Sequence, residues 1–189
     1  MRSIIELRRI SGISFEGGRV VPFAPRHLTS RYVGWLNDPE VVRYSEQRHR
    51  VHTLESCRQY YQSFADSPDQ FLAVEIDAGP DGLHVGNVGI AVDLPNLVAD
   101  VSIIIGEKSV WGTGIASKAW TAVVEHLLTP GQMRKVTAGT MSVNEPMLQL
   151  MRRSGMLIEA VRPKHFLWEG REVDLVLAAR YSATVGSTP

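Results

Sequence analysis

The stretch from Val98 to Leu127 constrains this chain more than any other. Val98 to Ile105 has the β-branched density of a strand. Ile115, Ala119, Val123 and Leu127 then recur at four-residue spacing, and Ala116, Trp120 and Val124 widen the same apolar stripe. Between the two lies Ser109-Val110-Trp111-Gly112-Thr113-Gly114. A strand therefore passes through a turn with two glycines and opens an amphipathic helix, which is the grammar of a mixed α/β domain.

That turn has chemical potential of its own. Glycine lets main-chain N–H groups come close to a ligand, and a helix N-terminus adds about half a positive charge, so the pair suits a phosphate or pyrophosphate without a lysine. By itself Gly-x-Gly is more often just a tight turn. Two familiar phosphate loops do not fit: there is no Gly-x-x-x-x-Gly-Lys-Ser/Thr, and Ser117 stands where the dinucleotide fingerprint needs a third glycine.

The flanking pattern alternates helix and strand. A strand at Val20 to Phe23 precedes a helix capped by Thr29 or Ser30, carrying Tyr32, Val33, Trp35 and Leu36, and broken by Asn37-Asp38-Pro39. A short helical or turn segment spans Glu40 to Tyr44, and a second helix runs from Thr53 to near Ser67-Pro68. Phe71 to Ile76, Val85 to Val92 and Val98 to Ile105 are joined by short turns, so they form an antiparallel meander. After the glycine turn and its helix, which Pro130-Gly131 ends, a strand at Val136 to Met141 leads to Asn144 as N-cap. Met147, Leu150 and Met151 share the next helix face, and Gly155 suits a left-handed terminus. Two strands, Leu157 to Trp168 and Val173 to Tyr181, close the chain through Glu169-Gly170. No repeat or linker divides residues 1–189, so one domain is expected, with Ser182 to Pro189 as a flexible tail.

Charge and composition exclude several function classes. Twenty Lys and Arg face 20 Asp and Glu, which removes the broad attraction that nucleic acid or an anionic membrane requires. The single cysteine, Cys57, excludes an internal disulfide framework and any multi-cysteine metal site. His27, His52, His84 and His126 have no partners at metal-ligand spacing, so no metal is expected. No apolar run approaches the ~20 residues of a membrane span, and Met1-Arg2-Ser3-Ile4-Ile5-Glu6 lacks a secretory core, so a cytoplasmic protein is expected.

Several ordered stretches resemble one family. Trp35-Leu36-Asn37-Asp38-Pro39-Glu40-Val41, Trp111-Gly112-Thr113-Gly114-Ile115-Ala116, Asn144 through Gly155-Met156, and Phe166-Leu167-Trp168-Glu169-Gly170-Arg171-Glu172-Val173-Asp174 are similar to segments of the GNAT N-acetyltransferases. The likeness is strongest to the branch of ribosomal-protein alanine acetyltransferases, the RimJ/RimL type, and runs from about Val20 to Tyr181. It implies an α+β fold with a mixed, mostly antiparallel sheet of about seven strands flanked by about four helices.

The same resemblance implies acetyl-CoA as co-substrate. Its pyrophosphate would rest on Val110, Trp111, Gly112, Thr113, Gly114, Ile115 and Ala116, and its pantetheine would lie along Ile103, Ile104 and Ile105 like an added strand. A main-chain N–H near Ile104 would polarise the acetyl carbonyl, and Asn144 and Met147 would complete the cofactor wall. Asp100 occupies a strand position where relatives often carry Glu, which implies a general base acting through water; it also reads as an ordinary polar residue at a strand start. Trp35, Tyr44, Glu46, His49 and His165 are the implied acceptor residues, although Trp35 fits equally as core and Glu46 and His49 as a solvated run.

Two positions depart from the pattern. Ser109 replaces a common Gln or Arg, and Met151 replaces a tyrosine that reprotonates the departing thiolate. Ser142 or water would serve instead, and Ser142 also fits as a cap. The implied partner is a small-molecule or peptide amine, namely a nucleotide-linked amino sugar or a protein N-terminus, with monomer and homodimer both open. The alternative reading is a non-catalytic acyl-CoA-binding protein that keeps the cradle and has lost turnover.

Overall fold

A computed structural model describes residues 9–79 and 82–183. Eight strands make one sheet in the order β1-β2-β3-β4-β5-β6-β8-β7. They are β1 (Ile13–Phe15), β2 (Gly18–Pro22), β3 (Gln70–Ile76), β4 (Leu83–Asp93), β5 (Val98–Ile105), β6 (Lys135–Met141), β7 (Leu157–Trp168) and β8 (Arg171–Tyr181). Every neighbouring pair is antiparallel except β5 and β6, which are parallel.

Strand alternation assigns the two faces. Leu72, Val74, Val88, Ile90, Ala99 and Val101 point to one side, where Ala119, Trp120, Val123 and Leu127 of α3 (Ile115–Leu127) and Leu148 and Met151 of α4 (Glu145–Arg153) complete the main core. Ala73, Phe71 and Ile104 point to the other, against Tyr32, Trp35 and Leu36 of α1 (Ser30–Leu36) and Cys57 of α2 (Leu54–Gln62). Trp120 is fully buried, and its indole N–H donates to Ser154 Oγ at 3.0 Å, so the bulkiest core residue leaves no polar atom unpaired.

The caps follow the sequence. Thr29, Thr53 and Asn144 each accept a main-chain N–H in the first turn of α1, α2 and α4. Gly155 takes φ +75° after α4. Three details differ from expectation. The strand β1 is an eighth member, too short to read without its partner β2. The helix α2 stops at Gln62, five residues before Ser67, where Phe64 stacks on Phe71 at 5.3 Å. Ser182 is buried and donates its N–H to Arg134 O at 3.0 Å, so the tail does not fray there; residues 184–189 lie outside the described residues.

The feature that positions the site is a fork. Only Val98, Ala99 and Asp100 pair with Lys135, Val136 and Thr137. Beyond them β6 stays with β8 to Met141, while β5 runs on to Ile105 paired on its β4 side alone. The chain then turns through Gly106 and a 3-10 turn at Lys108–Val110 into α3, which is the crossover a parallel pair requires.

Candidate functional site

The free edge of β5 has a defined set of donors. Gly106 N–H donates to Val85 O at 3.0 Å, and the β4–β5 register places these two opposite each other. Inward and outward amides alternate along an antiparallel strand, so Ile104 faces β4 while Val101, Ile103 and Ile105 turn their N–H and C=O groups into the fork. The outward donors thus flank Ile104, whose side chain packs on the α1 and α2 side.

The edge leads into an unpaired cluster of main-chain donors. Gly112 and Gly114 have φ +77° and +88°, a left-handed backbone that L side chains resist, and a Cβ at either would meet nothing within 4 Å. Unlike the other three helices, α3 has no side-chain cap, and its first turn holds no acid. Among the described residues the amides of Gly112, Gly114, Ile115, Ala116 and Ser117 find no protein acceptor, and the first helical bond is Lys118 N–H to Gly114 O at 3.0 Å. Five unpaired N–H groups at the positive end of a helix have the chemistry to hold an anion.

Packing holds this turn in place. Trp111 donates its indole N–H to Ile105 O at 2.9 Å. Lys108 bridges to Asp38 at 2.8 Å and to Glu40, tying the turn to the end of α1. The Trp35 ring lies directly against Gly106, leaving no room for a Cβ there. Ser109 bonds Glu107 through both its N–H and its hydroxyl.

A cavity of about 730 Å³ joins the cradle to the α1 and α2 side of the sheet. Of the residues expected to bind cofactor, Ile103, Ile104, Ile105, Val110, Trp111, Gly112, Gly114, Ala116, Asn144 and Met147 line it. The side chains of Thr113 and Ile115 do not: Thr113 donates its hydroxyl to Val110 O, and Ile115 packs on the main core. Asn144 is held by its cap to Met147 and by donation to Thr140 Oγ1 at 2.9 Å.

The expected acceptor residues divide. Tyr44 lines the cavity. Trp35 does not, being 7% exposed and occupied with packing Gly106. Glu46 pairs with Arg48 at 2.8 Å, and His49 opens on an adjoining depression of about 400 Å³ with Arg48 and Trp168, which shares Arg43 and Arg50 with the main cavity. His165 lies exposed on β7 against Phe166. The floor that sequence reasoning missed is Phe71, Asn87, Gly89 and Ser102 of the sheet, with Tyr32 of α1 and Tyr60 of α2 among the other lining residues. Only the β4–β5 and β3–β4 registers bring these residues together.

Asp100 stands at the crotch of the fork, on the Ser102 face, just outside the cavity lining. Its Oδ2 accepts from Thr137 Oγ1 at 2.7 Å. Solvent reaches part of the residue, yet the atoms crowded round the carboxyl push it above the ordinary carboxylate range, against the opposing pull of Thr137. Ser142 is also outside the lining: its hydroxyl oxygen accepts from Asp174 N–H at 3.2 Å, which pins the end of β6 to β8. Met151 is buried in the main core, so α4 presents Pro146, Met147 and Leu150 to the cavity and no tyrosine.

Comparisons with known proteins agree with the fold. Human α/β-tubulin-N-acetyltransferase 9 is 24% identical over 145 residues, covering 71% of this chain and 69% of that protein. RimL, the ribosomal L7/L12 alpha-N-protein acetyltransferase solved with coenzyme A, matches at TM-score 0.79 and 16% identity over 92% of this chain and 98% of its own. Spermidine N-acetyltransferase of Vibrio cholerae, solved with CoA and spermine, matches at TM-score 0.77 and 16% identity over 89% and 97%. The sequence profile of the acetyltransferase (GNAT) domain matches residues 19–157, most of the length, and with this the chain belongs to the GNAT family of N-acetyltransferases.

Proposed function

We propose that this protein moves the acetyl group of acetyl-CoA to a primary amine by direct attack within a ternary complex. The observation that carries the reading is the free β5 edge running straight into five unpaired amides, because a pantetheine arm with its own amides and a diphosphate needs both at that spacing. The residues present fit the group: Gly112 and Gly114 leave space where a side chain would stand, and Ile103 and Ile105 supply outward donors. When bound, acetyl-CoA supplies a thioester carbonyl open to attack and a thiolate leaving group.

The chain's own part is placement and charge. An outward amide at Ile103 or Ile105 polarises the carbonyl oxygen. Asp100, reached through a water, takes the proton that the amine releases; its raised affinity for protons brings it nearer the working range of a base. A thiolate with a reference pKa of ~8.5 leaves without a dedicated acid, and Ser142 retains its hydroxyl proton should one be needed.

The cavity also bears on the acceptor. Its only carboxylate among the described lining residues is Glu40, already paired with Lys108, while Arg43 and Arg50 stand nearby. A polyamine would find no unpaired acid there. A protein N-terminus, as in the RimJ/RimL branch, or a small amine such as a nucleotide-linked amino sugar fits better, with the small molecule slightly favoured by the Trp35 to Val41 and Glu46 to Arg50 segments.

A second reading, a CoA-binding protein without turnover, has its own support in Met151 being buried and Asp100 lying outside the lining. Thiol release from acetyl-CoA, measured with alanyl peptides, amino sugars and spermidine, separates the two. Release with at least one non-polyamine acceptor is expected. CoA protection in thermal melting without release for any amine supports the second reading, and no protection overturns both.

A further inference from the structure

The floor of the acceptor side holds a buried amide whose oxygen has no partner. Asn87, on β4, is 2% exposed, lines the cavity, and its Oδ1 meets no donor. The orientation of that amide is fixed by the other end. Nδ2 donates to Leu72 O at 3.3 Å and lies 3.2 Å from His84 Nε2. Turned round, Oδ1 would confront the Leu72 carbonyl, two acceptors with no hydrogen between them. His84 is buried and held neutral, its pKa lowered to about 3 by burial first and by the His27 and Arg31 charges next.

The register adds position to orientation. Asn87 lies opposite Ile104, between the outward amides of Ile103 and Ile105 on the neighbouring strand. Gly89, two residues on, keeps the floor beside it open, since a Cβ there would meet Ser102 Oγ at 2.8 Å. Strand alternation puts the Asn87 side chain on the Ile104 face, the side the cavity occupies, and a buried acceptor beside a cavity wants an N–H.

From this, and resting on the transferase reading above, the geometry points to Asn87 Oδ1 as the acceptor of a hydrogen bond from the attacking amino group, making Asn87 a substrate-binding residue that orients the nitrogen lone pair and selects for primary amines. A primary amine has two hydrogens. One stays on Asn87 through the reaction and remains as the N–H of the amide product; the other leaves as the proton passed to the base when the C–N bond forms and the C–S bond breaks. A secondary amine has one hydrogen for both tasks, and the site disfavours it.

The test compares kcat/KM for a primary acceptor and its N-methyl derivative. The probes are an alanyl tetrapeptide, glucosamine and 2-phenylethylamine, each beside its N-methylated form, followed by thiol release from acetyl-CoA. Wild type is expected to prefer the primary form by about 30-fold or more, and Asn87→Leu or Asn87→Ala to collapse that preference to a few-fold, chiefly by lowering the primary rate, with CoA affinity unchanged. A preference preserved in a variant that binds CoA normally overturns the assignment. So does a wild type that uses N-methyl acceptors within three-fold of the primary ones, whatever the variants do. No release by wild type with any probe overturns the transferase reading and this inference together, and CoA protection in melting then reports the cradle separately.

Discussion

Replacing Gly112 with Asp tests the cradle by charge. Gly112 has φ +77° and open space where a Cβ would stand, so the fold tolerates a side chain at a backbone strain of ~1 kcal/mol. Taking about 5 Å between a carboxylate on that Cβ and a phosphate held by the neighbouring amides, each charge pair costs ~1–3 kcal/mol at an effective dielectric between ~20 and ~80. A diphosphate brings two charges, giving ~2–6 kcal/mol, which is a loss of CoA affinity of at least ~30-fold. The new carboxylate also competes for the free amides of Gly114 and Ile115. Gly112→Ala is the control for bulk, with CoA Kd expected within ~3-fold of wild type because the strain acts on free and bound states alike. Titration calorimetry at low and high salt is the assay, with thermal melting to confirm folding. The Asp penalty should shrink as salt rises, since the site is solvent-accessible. A Gly112→Asp protein that folds and binds CoA within three-fold of wild type would refute the cradle.

Three further outcomes are expected. Asp100→Asn should leave CoA binding intact and lower kcat by about 10²-fold, the low end of general-base effects, while flattening the rise of rate with pH that the carboxylate imposes; an unchanged rate at neutral pH removes Asp100 from the mechanism. Gly106→Ala should drive the buried Trp35 ring off the junction of β5 with the cradle, costing ~1–3 kcal/mol in urea unfolding and weakening CoA binding as well, so a neutral substitution would contradict the packing. Acid should unfold the protein in two stages. The depressed His84 stays neutral in the fold while the unfolded chain takes up its proton, so stability declines as pH falls from 6.5 toward about 3, by up to ~1.4 kcal/mol per pH unit. Burial alone would raise Glu75, but hydrogen bonds from His27, Arg19 and Arg26 outweigh it and hold the carboxyl at about 2, so a further ~3 kcal/mol is lost between pH 4.5 and 2. A flat profile between pH 6.5 and 4.5 would refute the neutral His84.

Local chemistry made much of this molecule readable from sequence. The limits of β5, the caps Thr53 and Asn144, and the left-handed Gly155 are each fixed by residues within a turn of one another. The cradle was readable for the same reason, being one continuous segment. The acceptor side was not, because Asn87 owes its role to Leu72 and His84, which only strand register brings near. Trp35 misled because an exposed-site aromatic and a packing aromatic look alike in sequence; its partner, Gly106, is 71 positions away in the chain. Ser142 is similar, since nothing local reveals that its oxygen accepts from Asp174 N–H.

The fork makes the sheet two plates hinged on three residue pairs, β1 to β5 on one side and β6 to β8 on the other. A pantetheine arm lying in the gap, as proposed above, would become a rung of the ladder, and the co-substrate would double as a splint. On the proposed reading, departure of CoA would remove that splint and leave the two plates joined by three residue pairs and by the core that α3 and α4 share beneath them.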